Sequence, residues 1–380
     1  RLMSQVKAMA ETYEANRPVC KYVHSTSRGH EAIQLATAFQ LRPQDFVSPY
    51  YRDESLIMGL GFTPYEQMLQ LLAKGGDIFT GGREYYSHPN YRGDDKPTMI
   101  HQSSATGMQA IPTTGIAQGI QYLERNLTEK LVKGKNDEMP VVVCSLGDAS
   151  ITEGEVSEAF QFAVLKQLPI IYLVQDNNWG ISVTAEEARA MNAFEFAAGF
   201  KGLNRIQVDG SDFKASYSVM KEVIGFVRRE RKPYLVHAQV PLLGHHTSGV
   251  RKEFYRTEED WEKHLGHDPN PKLRNRLLDR GIDEADLVQI EKEAADLIAA
   301  DFAKAVASPE PDSAKVSDHV FAPSLITKEQ GTRSPAGAEK IIMVDAALFA
   351  IRELMEKHPE AVLYGQDVGK RLGGVFREAA

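Results

Sequence analysis

The most constraining feature of this chain is a pair of short apolar runs, 141–146 and 170–175, separated by one helix-length amphipathic segment. Between them, residues 153–166 place Val156, Ala159, Phe160, Ala163 and Val164 on a single helical face. A strand with no polar alternation must be covered on both faces, and a strand–helix–strand unit joins parallel neighbours through a right-handed crossover. Residues 206–208 and 234–240 read as further strands around a helix at 213–231. The expected fold class is therefore α/β, a parallel sheet with helices on both faces. Such sheets bind their ligands beyond the carboxyl ends of the strands.

Upstream, the spacing of apolar residues predicts helices over 2–16, 29–41 and 63–74, the last opening at a Thr63-Pro64 cap. Residues 75–106 have no period and read as a long loop, a kind of segment that is usually functional. A helix over 107–131 leads into the first apolar strand. Downstream, 257–306 is polar and helical. Pro309, Pro311, Pro323 and Pro335 make 307–338 an extended linker. An amphipathic helix over 339–357 and a short strand at 361–364 then read as the first elements of a second α/β domain, truncated within 339–380. The expected organisation is a domain over 1–306, the linker, and that partial domain.

Composition excludes several classes. With 44 basic and 52 acidic residues, a net charge of -8, the chain lacks the basic balance of a general nucleic-acid binder. No apolar run approaches the roughly 18 residues that cross a bilayer. Cys20 and Cys144 are the only cysteines, too few for a disulfide framework or a four-cysteine zinc site, which points to a reducing cytoplasm. The chain opens inside a helical pattern without a signal-peptide core, so it reads as a piece of a larger protein.

Two strand ends carry the chemistry. Gly147-Asp148-Ala149-Ser150 follows the first apolar strand, and Asp176-Asn177-Asn178-Trp179-Gly180 follows the second. Asp148 and Asn177 are 29 residues apart, one strand–helix–strand unit, which sets a carboxylate beside an amide carbonyl at the carboxyl edge. Both are hard oxygen donors, suited to Mg²⁺ that shares its shell with phosphates and water. Gly147 allows the backbone to approach a ligand closely. The alternative is that Gly-Asp and Asn-Asn are ordinary turn formers. Neither a dinucleotide fingerprint nor a P-loop is present, and His30-Glu31 lacks the second histidine of a zinc-protease motif.

Gly147-Asp148 followed by Asn177 resembles the thiamine diphosphate and Mg²⁺ motif. Tyr51-Arg52-Asp53, the His101-Gln102-Ser103-Ser104 loop and Gly244-His245-His246-Thr247-Ser248 resemble the α chain of thiamine-dependent 2-oxoacid dehydrogenases, most closely the branched-chain type. The resemblance runs from about residue 25 to 300. Gly365-Gln366-Asp367-Val368 and Gly373-Gly374-Val375-Phe376-Arg377 look like the opening of that enzyme's β chain, so the whole resembles an α–β fusion. Ala149 replaces the second glycine of the motif. Gln175 stands where some relatives carry a charged phosphate ligand, so the diphosphate charge must be met elsewhere.

The resemblance implies that Asp148, Asn177 and the Trp179 carbonyl hold Mg²⁺, with the Ala149 and Ser150 amides near the diphosphate of the cofactor, where the start of a helix favours an anion. Tyr51 and Arg52 would hold diphosphate oxygens, and Ser104 and Thr106 the aminopyrimidine side. His246, with His245 as a secondary candidate, would transfer protons near the reaction centre, where an unperturbed imidazole titrates close to neutrality. The alternatives are a surface ion pair of Arg52 with Asp53 or Glu54, loop-stabilising hydroxyls, a solvent-exposed His pair, and Trp179 and Tyr85-Tyr86 as loop packing. Thr247 and Ser248 match positions that carry regulatory phosphorylation in mammalian relatives.

The carboxylate that activates the cofactor belongs to the family's β chain, so the implied partners are a β-chain-like part supplying that Glu and the lipoyl domain of the acyltransferase component. The implied assembly is a dimer of fused αβ or an α2β2 tetramer. The implied reaction is oxidative decarboxylation of a 2-oxoacid of the 3-methyl-2-oxobutanoate type. Pyruvate or acetoin-type chemistry, a non-catalytic remnant and a Mg²⁺-nucleotide enzyme are the alternatives.

Overall fold

A computed structural model describes residues 1–100, 104–318, 320–323, 331–333, 335–365 and 368. His101, Gln102, Ser103, Gln366, Asp367 and the 373–377 motif lie outside the described residues. The chain divides into two compact units, Arg1–Val316 and Ser317–Ala380.

The first unit is built on eight strands: β1 Phe46–Ser48, β2 Thr98–Met99, β3 Val142–Gly147, β4 Ile170–Asp176, β5 Trp179–Gly180, β6 Val183–Thr184, β7 Asn204–Asp209 and β8 Tyr234–Gln239. Six form one sheet in the order β2-β1-β3-β4-β8-β7, every neighbouring pair parallel. β5 and β6 form a separate antiparallel hairpin. The α/β class read from the apolar runs is the observed one.

The two apolar strands occupy the centre because both of their faces are buried. Val143, Ile171 and Leu173 point into one layer, with Ile33, Ile57, Val223 and Val227 of the helices Glu31–Ala38, Glu54–Gly59 and Phe213–Glu230. Val142, Cys144, Leu146, Tyr172 and Val174 point into the other, against Ala117 and Ile120 of Ala110–Asn126 and Phe160 of Gly154–Lys166. Period-two alternation thus feeds two cores from one strand. A third core joins the helices Leu2–Ala15, Pro64–Leu71 and Glu284–Val306 around Tyr13 and Tyr86. The helix at Pro64 starts as its sequence indicates, with Thr63 and Glu66 forming a reciprocal capping box.

Several elements differ from the sequence reading. The short strands β1 and β2, of which β2 forms the edge of the sheet, are not among the expected elements, and β2 lies in the segment read as a loop; three and two residues are too short to carry a period. The polar region before residue 306 resolves into Glu258–Leu265, Pro269–Leu278 and Glu284–Val306. The first unit continues to Val316, held by the Gly75 amide on the Pro309 carbonyl (3.0 Å) and by Lys74 on Glu310 (2.6 Å). In the second unit the helix Met343–Lys357 forms, but the strand expected at 361–364 does not. Among the described residues of that unit there is no strand to pair with it, and Val362, Leu363 and Tyr364 are exposed. Among the described residues no helix is long and apolar enough to cross a membrane.

Candidate active site

Because all six strands of the sheet run the same way, the loops that leave their carboxyl ends collect on one edge. There they enclose a cavity of about 580 Å³. Tyr51 and Arg52 come from the loop after β1, and Ser104 and Thr106 from the segment after β2. Gly147, Asp148, Ala149 and Ser150 follow β3, Asn177 and Trp179 follow β4, and His246 follows β8. β3 and β4 are paired with Gly147 opposite Gln175, so Asp148 and Asn177 stand just beyond the ends of neighbouring strands, as their spacing indicated. His245 is the exception. It does not line this cavity; its Nδ1 accepts the Lys252 amide (3.1 Å), and Glu14 and Glu253 lie 3.7 Å from its ring.

Arg52 is no surface residue. It is 1% exposed, donates to the carbonyls of Thr26 (3.2 Å) and His246 (3.1 Å), and its Nε has no partner among the described residues. A buried guanidinium satisfied only by carbonyls, lining a cavity, is an anion receptor in waiting. His246 stacks edge-on to Tyr51, ring centroids 6.1 Å apart, and the Ser25 hydroxyl donates to its carbonyl (2.7 Å). Burial and then the neighbouring Arg52 charge push the His246 pKa down to about 3. The expectation of an unperturbed imidazole is therefore corrected: at neutral pH this ring is uncharged and resists protonation, so it offers a hydrogen-bond lone pair and not a cationic donor.

Asp148 is buried and pairs with Arg189 at 2.8 Å. Burial and the nearby Asp176 carboxylate raise its pKa, against the pull of Arg189. Asp176 is held low despite its burial, because His237 (2.8 Å) and Arg189 stabilise its charge. Gly147 has an ordinary extended backbone (φ -85), so no positive φ demands glycine there. The Ala149 methyl packs where a side chain on Gly180 would fall, 3.3 Å from an ideal Cβ. The departure from the second motif glycine is thus accommodated by another glycine. Asp148–Thr152 is a 3-10 turn, closed by the Ser150 hydroxyl on the Gly147 carbonyl (2.6 Å), and the α-helix begins only at Gly154.

Sequence reasoning missed three participants, His88, Tyr50 and Arg189. Ser104 donates to His88 Nε2 (2.9 Å), whose Nδ1 lies 2.9 Å from the Tyr86 carbonyl, so His88 fixes the hydroxyl that faces the cavity. Tyr50 lines the wall and Arg189 neutralises Asp148, whereas Gln175, which the sequence did single out, lies beneath the floor, fully buried and hydrogen-bonded. His88 stands in an aperiodic loop and Arg189 far along the chain, so neither spacing nor composition marks them. A second cleft of about 640 Å³ opens beyond Arg189, at the ends of β4, β7 and β8, but it gathers none of the predicted groups except Asn177.

A family model described as Dehydrogenase E1 component matches residues 4–314. The chain belongs to this family. Similar curated proteins include a 3-methyl-2-oxobutanoate dehydrogenase subunit alpha of Mycobacterium tuberculosis, 29% identical over 260 residues, 68% of this chain and 64% of that protein. A 2-oxoisovalerate dehydrogenase subunit alpha of Bacillus subtilis is 28% identical over 257 residues, 67% of this chain and 73% of that one. A pyruvate dehydrogenase E1 component subunit alpha of Rhizobium meliloti is 27% identical over 292 residues, 75% and 77% of the two chains. The match to the M. tuberculosis protein thus spans 64% of its length.

Membership in the dehydrogenase E1 family implies thiamine diphosphate as cofactor, and the cavity fits its charged end. Arg52 supplies an unspent buried donor at Nε, and Trp179 Nε1 is likewise unpartnered among the described residues. No cluster of three or more His, Cys, Asp or Glu side chains able to hold a metal is found among the described residues. The donors that the resemblance implied, the Asp148 carboxylate, the Asn177 amide and the Trp179 carbonyl, are hard oxygens and do not form such a cluster.

Proposed function

We propose that this chain is the diphosphate-binding α component of a thiamine diphosphate- and Mg²⁺-dependent 2-oxoacid dehydrogenase, with branched-chain substrates favoured. The observation that carries this is the convergence of Arg52, Asp148, Asn177 and His246 on one cavity from four different strand ends. Arg52 and Tyr51 would hold the diphosphate, and Asp148, Asn177 and the Trp179 carbonyl the Mg²⁺ that offsets its charge. Ser104, fixed by His88, and Thr106 would face the aminopyrimidine. When bound, the cofactor supplies a centre that stabilises the carbanion left by decarboxylation. His246, whose protonation is opposed first by burial and then by the Arg52 charge, would accept a hydrogen bond there, and an anion close to Arg52 would offset the smaller of those two effects.

The same reading assigns the acyl acceptor to a lipoyl group of an acyltransferase component and the activating Glu to a β-chain-like part, fused after the 307–338 linker or supplied by a partner, in an αβ dimer or α2β2 assembly. The free cysteines Cys20 and Cys144 suit a reducing cytoplasm. Pyruvate is the second reading, supported by pyruvate dehydrogenase relatives of comparable identity.

The test is decarboxylation by the complete protein with its β part, Mg²⁺, thiamine diphosphate and an artificial electron acceptor. Faster turnover of 3-methyl-2-oxobutanoate than of pyruvate, abolished by Asp148→Ala, is the expected result. Preference for pyruvate discards the substrate, and no turnover of either discards the catalytic reading.

A further inference from the structure

We infer that His30 is a positioning residue for Asn177: a buried chain of hydrogen bonds running from Asp53 through Gln175 and His30 sets the Asn177 amide with its oxygen turned away from the sheet interior, as a hard cation requires. The inference deepens the metal reading above and rests on it.

The chain can be read from its fixed end. Asp53 Oδ2 accepts the Tyr50 amide (2.8 Å), and Oδ1 accepts Gln175 Nε2 (2.7 Å). The second hydrogen of that amide nitrogen goes to Ser145 Oγ (2.9 Å). Both Gln175 donors are therefore committed to one side, and Oε1 must face the other. There it accepts from Gln34 Nε2 (2.8 Å) and from His30 Nδ1 (2.9 Å). The Tyr50 hydroxyl, 3.4 Å from Nδ1, is a longer secondary contact. An imidazole carries one hydrogen when neutral, and Gln175 draws it to Nδ1. Nε2 is left as a bare acceptor, and Asn177 Nδ2 lies 3.3 Å from it.

The far end agrees independently. Asn177 Oδ1 accepts the Trp179 amide (3.1 Å), which closes a short turn over the strand end. Reversing the Asn177 amide would set a donor against the Trp179 donor and an oxygen against the lone pair on the buried Nε2, two mismatched contacts. His30, Gln34, Asp53, Ser145 and Gln175 are all fully buried, so on the His30 side no solvent relieves such a mismatch. The imidazole itself is held by its backbone. Gly29 just before it has φ +100, and a Cβ there would fall 1.9 Å from the Pro241 carbonyl oxygen, so the turn is pinned to the segment after β8. His30 thus does for an amide ligand what outer-sphere carboxylates do for metal-bound histidines.

The test is Mn²⁺ binding to the complete protein with thiamine diphosphate, read from the free-Mn²⁺ resonance signal, together with the melting temperature of each variant. His30→Leu should weaken Mn²⁺ binding by about 10- to 100-fold, the usual effect of removing an outer-sphere partner. His30→Gln should restore binding to within about threefold of wild type, since its amide can donate to Gln175 and accept from Asn177. A purely structural histidine would give two variants that follow their melting temperatures rather than their hydrogen-bonding chemistry. If His30→Leu does not fold, Gln175→Met decides, and weakened binding is expected there as well. Unchanged Mn²⁺ affinity in a folded His30→Leu or Gln175→Met protein, or no rescue by a folded His30→Gln, overturns the inference while leaving the metal reading intact. A wild-type protein that binds no Mn²⁺ overturns both.

Discussion

The Arg189 guanidinium lies 2.8 Å from the Asp148 carboxylate, with both side chains only 4% exposed. Without a divalent cation, this arginine is what compensates a charge that folding has taken out of water. Removing one partner of a buried ion pair costs about 3–5 kcal/mol, because the other is left uncompensated. Arg189→Met should therefore lower the stability of the ligand-free protein by roughly that amount, and saturating Mg²⁺ with thiamine diphosphate should return part of it by mass action. Denaturant unfolding of wild type and variant, with and without both ligands, measures each quantity. A ligand-free variant as stable as wild type would show that Asp148 does not need its partner.

The charge on Arg52 and the protonation of His246 are linked in the same way. Burial is the larger cause of the depressed His246 pKa, and Arg52 the smaller. Arg52→Met keeps much of the side-chain packing and removes the charge, so the pKa should move up while staying below that of a free histidine. Thiamine diphosphate added to wild type should move it in the same direction. Histidine titration by nuclear magnetic resonance distinguishes the two contributions, and a pKa indifferent to Arg52→Met would remove the electrostatic link.

Much of the site was legible because its residues follow strands whose burial leaves a strong apolar signature. Asp148 and Asn177 inherit their places from Val142–Gly147 and Ile170–Asp176, and once those are parallel neighbours the juxtaposition follows. His30, His88 and Arg189 were not legible, since each meets its partner through long-range packing that no local period encodes. His30 and Gln175 meet across 145 residues of chain. The pairing of His245 with His246 in one motif was misleading for a related reason. Adjacent residues in an extended loop point opposite ways, and only His246 faces the cavity.

Glu54 makes stability depend on pH. It is fully buried beside the cavity wall, accepting from the Tyr86 hydroxyl (2.5 Å) and the Ser27 amide (2.8 Å). Burial nevertheless raises its pKa to about 7, from an ordinary value of 4.5. Asp53 is shifted the same way by burial, to about 6. A carboxyl group whose pKa is raised by folding binds its proton more tightly in the native state, so stability falls as pH rises between the unfolded and folded values and levels off above the latter. Glu54→Gln preserves the shape and removes that titration. The loss of stability between pH 5 and pH 8 should shrink by on the order of 3 kcal/mol relative to wild type, checked by denaturant unfolding at the two pH values. An equal loss in both proteins would assign the dependence elsewhere.

Ile181 joins β5 to β6 with φ 63, a left-handed conformation that costs a β-branched residue about 1–2 kcal/mol, and its side chain lines the cavity. Glycine would remove the strain but lose about 0.5–1 kcal/mol through its greater freedom when unfolded. Ile181→Gly should therefore be as stable as wild type, or more stable by up to about 1 kcal/mol. The strain persists for a reason if the side chain is an apolar wall for the substrate. In that case the ratio of kcat/KM for 3-methyl-2-oxobutanoate over pyruvate should fall about tenfold, since each methylene read by a hydrophobic wall is worth about 1–3 kcal/mol. Melting temperature and the two specificity constants settle the matter together. A destabilised variant would show that the backbone is not strained, and an unchanged ratio would show that Ile181 does not read the substrate.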